Sequence, residues 1–168
     1  MQAIAEEAAQ GEVCQAANDN APGQVVVSGH AAAVERATEI AKEKGAKRAV
    51  LLPVSAPFHC ALMAPAADVM GEALEAVTIL PPSLPVVSNV AAAPTVDPAT
   101  IRRLLVEQVT GMVRWREGVL AMRDLEVDCL VELGNGKVLS GLTRRIEREM
   151  NSLNAGTPEE IEALLAAL

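Results

Sequence analysis

Val127-Asp128-Cys129-Leu130-Val131-Glu132-Leu133-Gly134-Asn135-Gly136-Lys137 reads as a strand that turns within three residues into a helix. Its first seven residues are mostly apolar and include two valines, the composition of a buried strand. Gly134 and Gly136 give the backbone freedom that a tight strand-to-helix turn demands. Helix 137–149 then follows. The Gly-Asn-Gly-Lys turn has two readings: a plain tight turn, or backbone donors that cradle an anion at a helix N-terminus. It lacks the spacing of a Walker A or dinucleotide fingerprint.

The same alternation spreads outward. Upstream lie helix 61–76, strand 85–90 (Pro85-Val86-Val87-Ser88-Asn89-Val90), helix 98–110 and helix 113–124 past Trp115. Asp97-Pro98 reads as a cap with proline at the first helical position. Downstream, residues 152–155 form a short strand, and Thr157-Pro158-Glu159-Glu160 caps a terminal helix. Strands alternating with helices indicate an α/β architecture with a parallel sheet. The N-terminal third differs in pattern. Helix 2–10, strand 13–17, the turn-rich Asn18–Gly23, strand 24–28, helix 31–44 and strand 49–52 follow one another. That order is most of a ferredoxin-like βαββαβ unit whose opening strand is absent. Ala33, Val34, Ala37, Ile40 and Ala41 make the apolar stripe of its second helix, which Gly45 terminates.

Composition sets the functional bounds. The 168 residues suit one domain of ordinary size, with 51% apolar residues and a formal net charge of −8. With one Trp, one Phe and no Tyr, the chain has neither the basic stripe nor the aromatic platforms of a nucleic-acid binder. No apolar run approaches the roughly 20 residues of a membrane helix, and the N-terminus lacks a signal-peptide pattern. Cys14, Cys60 and Cys129 are odd in number and widely spaced, which fits buried thiols in a reducing compartment rather than disulfides or a metal site. A soluble, cytoplasmic protein is expected. Basic residues cluster at Lys42, Lys44, Lys47 and Arg48 and again at Arg144, Arg145 and Arg148. Such clusters are solvated faces or docking sites for an acidic or phosphorylated partner.

The chemistry points to Pro53-Val54-Ser55-Ala56-Pro57-Phe58-His59-Cys60-Ala61-Leu62-Met63. Two prolines stiffen the approach to His59, and helix-compatible residues follow at once. A histidine on such a corner suits acid–base work, and it also suits a purely structural role. A base needs a nucleophile to activate. No serine here has the Gly-x-Ser-x-Gly spacing: Ser28 and Ser140 each precede a glycine but lack the upstream one. Cys60 adjoins His59, yet neighbours at a helix start diverge. Gln108, by position alone, reads as a solvated helix residue. If His59 is a base, its nucleophile lies outside this sequence.

Several motifs together carry a resemblance. Ala17-Asn18-Asp19-Asn20-Ala21-Pro22, Gln24-Val25-Val26-Val27-Ser28-Gly29, Gly45-Ala46-Lys47-Arg48, the Pro53–Met63 corner, Pro85–Val90 and Val131–Leu139 stand in order and at the spacing of one family. The chain resembles the malonyl-CoA:acyl-carrier-protein transacylases of bacterial type II fatty-acid synthesis, over residues 12–168 and in their C-terminal half. The resemblance implies most of an inserted ferredoxin-like subdomain at 1–55 and the C-terminal part of an α/β-hydrolase-like acyltransferase subdomain at 56–168. It implies transfer of malonyl from malonyl-CoA to the phosphopantetheine thiol of acyl carrier protein through a serine ester, without a cofactor or metal.

Residue by residue, His59 matches the family's general base and Gln108 the position whose main-chain carbonyl orients the imidazole. Phe58 stands where a phenylalanine accompanies malonyl preference in related acyltransferases. Asn18, Asn20 and Asn89 fall in motifs near the family's substrate cleft. Lys47, Arg48, Arg144 and Arg145 become candidates for docking the acidic carrier protein. Three family features have no counterpart in residues 1–168: the Gly-His-Ser elbow, the arginine that pairs with malonyl's carboxylate, and the glutamine motif of the oxyanion hole. Met1 is then expected to be an internal or alternative start, or the start of a truncated frame, and the chain alone to be inactive. The missing N-terminal half becomes an expected partner. The alternative is a non-catalytic fragment or binding module for acyl carrier protein or coenzyme A. A histidine-based hydrolase using Cys60 is a third reading.

Overall fold

The structure, a computed structural model, describes residues 1–167. Helix α1 (Gln2–Ala9) leads into strands β1 (Cys14–Ala21) and β2 (Gln24–Gly29) and helix α2 (Ala31–Glu43). A long irregular segment ends in a 3-10 turn, Ala61–Met63, and helix α3 (Ala64–Glu75). Then come β3 (Val86–Ser88), β4 (Ala93–Thr95), α4 (Pro98–Thr110), α5 (Trp115–Asp124), β5 (Cys129–Leu133), α6 (Val138–Ile146), β6 (Asn151–Ala155) and α7 (Pro158–Ala167). The strands pair two by two: β1 with β2 and β3 with β4 antiparallel, β5 with β6 parallel.

Small side chains build the N-terminal layer. Ala33, Ala37 and Ala41 repeat every four residues along one face of α2 and are buried, as are Ala5 and Ala8 of α1. With so little side chain between them, the two helices close on each other and on Cys14 and Val27 of the hairpin. Arg36 fastens the pair. Its guanidinium donates to the carbonyls of Ala8 (2.9 Å) and Ala9 (3.1 Å) at the end of α1, the second of which also accepts the Glu12 N–H, and to the Glu12 carboxylate (2.7 Å). At the hairpin's exit a Cβ on Gly29 would lie 2.0 Å from the Val13 carbonyl oxygen, so only glycine fits there. His30 Nδ1 accepts the Val13 N–H at 3.0 Å, which gives this histidine a structural task.

The hairpin also ties the N-terminal layer to the start of α5. Register shifts between Ala16 and Asn18 and between Asp19 and Ala21 make Ala17 and Asn20 the extra residues of two bulges. The Ala17 carbonyl is thereby free to accept the Val113 N–H, and the Asp19 N–H donates to the Val113 carbonyl, both at 2.8 Å. Arg116 of α5 closes on the Asp19 carboxylate at 2.7 Å.

Four expectations need correction. Asn18–Ala21 is strand, not turn, and the reversal needs only Pro22-Gly23, with Gly23 at φ 75°. Turn-forming residues are tolerated because the bulges bend β1 as they would bend a loop. Ala49–Leu52 forms no strand, and Val50, Leu51 and Leu52 are each more than half exposed. A strand exists only through pairing, and no described strand lies beside this segment to receive its backbone. The strand at 85–90 shortens to three residues, and helix 137–149 ends at Ile146. In return β4 pairs with β3 despite Pro94, since a two-stranded ribbon has an outer edge where a missing N–H costs nothing.

Beyond the N-terminal layer the interior is thin. An apolar groove of about 610 Å³ opens between β3, α5, β5 and α6, lined by Leu84, Val87, Trp115, Leu130 and Leu139. Leu84 and Leu133 are 75% and 71% exposed. Within this region Trp115 Nε1 and Ser152 Oγ are buried without a hydrogen-bond partner among the described residues. Among the described residues, no helix is long and apolar enough to cross a membrane.

Candidate functional site

The Pro53–Met63 corner folds His59 into the left-handed region, φ 61°, where a side chain with a Cβ is disfavoured. Such a conformation persists only when its surroundings hold it. Cys60 returns to extended backbone (φ −142°, ψ 174°) and starts the 3-10 turn. Its thiol is fully buried and donates to the Pro57 carbonyl at 3.2 Å, which closes the corner on itself. A thiol so enclosed is not available as a nucleophile beside His59, and the Cys60 hydrolase reading falls.

The imidazole meets the far end of α4. The last carbonyls of a helix have no partner within it, and Gln108 lies in that last turn. Its carbonyl oxygen stands 2.9 Å from His59 Nδ1. A carbonyl can only accept, so Nδ1 carries the hydrogen and Nε2 presents a lone pair. The Gln108 side chain packs beside this bond, its Nε2 donating to the Gly111 carbonyl at 3.1 Å. Its Oε1 is buried with no partner among the described residues. Gly111 N–H in turn binds the Glu107 carbonyl at 2.8 Å and ends α4. The arrangement is a half-buried imidazole with one tautomer favoured, held by a neutral dipole instead of a carboxylate. Phe58 flanks it, half-exposed, with ring centroids 6.4 Å apart and planes tilted by 48°.

The other expected site residues are more scattered. Asn18 and Asn20 lie on bulged β1, and Asn89 borders the apolar groove, its carbonyl accepting the Arg114 N–H at 2.9 Å. His59's hydrogen-bond partners include none of the three. Lys47 and Arg48 are exposed on the irregular segment after α2, with no ion pair among the described residues. Arg144 instead donates to the Ser152 carbonyl at 3.2 Å, and Arg145 to the Gln24 side chain, so both serve the fold as well.

The Gly134–Lys137 turn resolves its two readings. The N-terminal amides of α6 are already taken: Glu132 accepts from Leu139 N at 3.1 Å and from Ser140 N at 2.8 Å. These donors, Ser140 N–H foremost, hold the Glu132 carboxyl below the usual carboxylate range. The chain's own carboxylate fills the place an anion would occupy, so this is a structural turn. Sequence reasoning missed this contact, and it missed Gln15, whose side-chain oxygen accepts the Ala61 N–H at 2.7 Å from 46 residues away. No local pattern announces a bond of that span.

The chain matches no protein-family model. It is 48% identical over 163 residues to the malonyl CoA-acyl carrier protein transacylase of Salmonella typhimurium, covering 97% of this chain and 52% of that protein. Among solved structures, the acyl-carrier-protein-S-malonyltransferase of Bartonella henselae superposes with a TM-score of 0.92 at 54% identity, over 98% of this chain and 52% of that one. A malonyl-transacylase solved in complex with its type II PKS acyl-carrier protein matches with a TM-score of 0.92 at 42% identity, over 98% and 54%. The chain spans about half the length of the curated relatives it matches.

Proposed function

We propose, for a chain that shares sequence and fold with about half of the malonyl CoA-acyl carrier protein transacylases, that residues 1–168 form the histidine-bearing part of a cytoplasmic malonyl transferase. The observation that carries this reading is the bond from His59 Nδ1 to the Gln108 carbonyl, 2.9 Å, made from a corner held at φ 61°. It leaves Nε2 as a proton acceptor in one orientation.

A serine supplied from outside these residues attacks the malonyl-CoA thioester carbonyl while Nε2 takes its proton. The tetrahedral adduct collapses to a malonyl-serine ester, and the imidazolium returns the proton to the departing coenzyme A thiolate. In the second half, Nε2 takes the proton of the carrier's phosphopantetheine thiol, the thiolate attacks the ester, and the proton passes to the serine oxygen. Each half restores the histidine. The Gln108 carbonyl stabilises the transient imidazolium without adding a charge to the site. Phe58 narrows the acyl side of the base, and no cofactor or metal is required. Residues 1–55 belong to the ferredoxin-like subdomain and 56–168 to the larger hydrolase-like one. Lys47 and Arg48 supply the positive surface for the acidic carrier, a partner supported by the complex of the related malonyl-transacylase.

The test is a chimera in which this chain replaces the matching half of the Salmonella typhimurium relative, assayed for malonyl transfer from malonyl-CoA to holo acyl carrier protein. The chimera transfers malonyl. His59→Ala lowers its rate by about 10²- to 10⁴-fold, the usual contribution of a positioned base. A His59→Ala chimera within a few-fold of its parent would refute the reading.

A further inference from the structure

We infer that Gln15 is a positioning residue for His59, an inference that rests on reading His59 as the base. The backbone reverses sharply around this histidine: left-handed at His59, extended at Cys60, then the 3-10 turn beginning at Ala61. The first N–H groups of a helical turn have no acceptor within it and are usually met by the residue just before. Here that residue is Cys60, and its thiol is committed to the Pro57 carbonyl. No local side chain caps the turn. Gln15 does so from β1, its Oε1 accepting the Ala61 N–H at 2.7 Å.

The tie is useful because β1 is itself immobilised. Cys14, beside Gln15, is buried in the core with α1 and α2. Two residues further on, the Ala17 carbonyl accepts from Val113, and Asp19 is bound through both its backbone N–H and its carboxylate, to Val113 and Arg116. His59 therefore stands between two anchors. The Gln108 carbonyl holds the ring from α4, and Gln15 holds the backbone two residues beyond it from β1. A left-handed residue relaxes when either anchor goes, since nothing intrinsic favours its φ. Relaxation swings Nδ1 away from Gln108 and frees the ring to take the other tautomer. The hairpin thus orients the base without touching it.

The test compares the ¹⁵N-labelled full chain with Gln15→Leu, which removes the acceptor at similar volume, and Gln15→Glu, which keeps an acceptor oxygen at the same reach. Two signals are read by NMR: the exchange rate of the Ala61 amide, and the imidazole ¹⁵N shifts that report which nitrogen of His59 carries hydrogen. In the parent and in Gln15→Glu, Nδ1 is the protonated nitrogen and Ala61 is protected. In Gln15→Leu, Ala61 exchanges about five- to tenfold faster, the size of one net hydrogen bond, and the Nδ1–H population falls. An unchanged imidazole pattern in Gln15→Leu overturns the inference, even with faster Ala61 exchange, because Gln15 would then cap the turn only. Unchanged Ala61 exchange overturns it as well. Neither signal depends on malonyl transfer, so failure here is distinct from failure of the His59→Ala chimera.

Discussion

Gly111 shows how narrowly the surroundings of His59 are set. Its backbone, φ −85° and ψ 148°, is open to any residue, so conformation does not require glycine there. Space does. A Cβ would lie 2.6 Å from Val90 Cγ2 and 2.8 Å from the Glu107 carbonyl oxygen, three residues from the carbonyl that holds His59. Gly111→Ala is expected to destabilise the chain by about 1–3 kcal/mol through overpacking, seen as a lower urea midpoint with an unchanged slope. An unchanged midpoint would mean that Val90 yields freely. At this scale the sequence reveals residue types and stiffness. The two prolines announce a rigid path into His59, but the sign of φ at His59 cannot be read from them, because neighbours distant in sequence impose it. Gln108 is the sharper case. By position it reads as a solvated helix residue, and only the resemblance of the chain to a family singles it out.

Among the elements, α6 illustrates a helix whose start is fixed by the preceding strand. Glu132 of β5 reaches past the Gly134–Lys137 turn to bind Leu139 N and Ser140 N, and the helix dipole favours its negative charge. Its carboxyl is held below the ordinary value of 4.5. A depressed carboxyl stabilises the native state above its unfolded pKa, and that stabilisation is lost as pH falls through the folded value. Protection of the Leu139 and Ser140 amides should therefore be full at neutral pH and decline only below about 4.5, the ordinary Glu value. In Glu132→Gln it should be weaker at neutral pH and flat through the acid range. A parent protection profile that ignores acid would contradict this role. Most elements were legible from periodicity and caps: Asp97 accepts the Thr100 N–H at 2.8 Å ahead of Pro98, where the sequence places a cap. The strand expected at 49–52 does not form, because β-propensity describes a surface waiting for a partner and cannot create one.

For the whole molecule, the distribution of apolar surface matters most. The buried core joins α1, α2 and the hairpin through alanines, whereas Leu84, Val131, Leu133, Val138 and Leu139 meet solvent around the groove. Beside them, β5 pairs among the described residues on one side only, with β6. An open strand edge next to a contiguous apolar face invites association. Sedimentation of the isolated chain at micromolar concentrations should show species larger than a monomer. A monodisperse monomer would show that the groove tolerates water.

The sequence by itself determined the alternation of strands and helices, the caps, the stiff histidine corner and, through its motifs, the resemblance to one family. These are local properties, written in side-chain periodicity and backbone restriction. Only the tertiary structure decided that Glu132 fills the anion position of its own helix, that Ala49–Leu52 forms no strand, and that His59 sits between Gln108 and Gln15. Such outcomes depend on which groups find partners beyond their own segment. The free energy of that pairing belongs to the assembled fold, and no segment carries it alone.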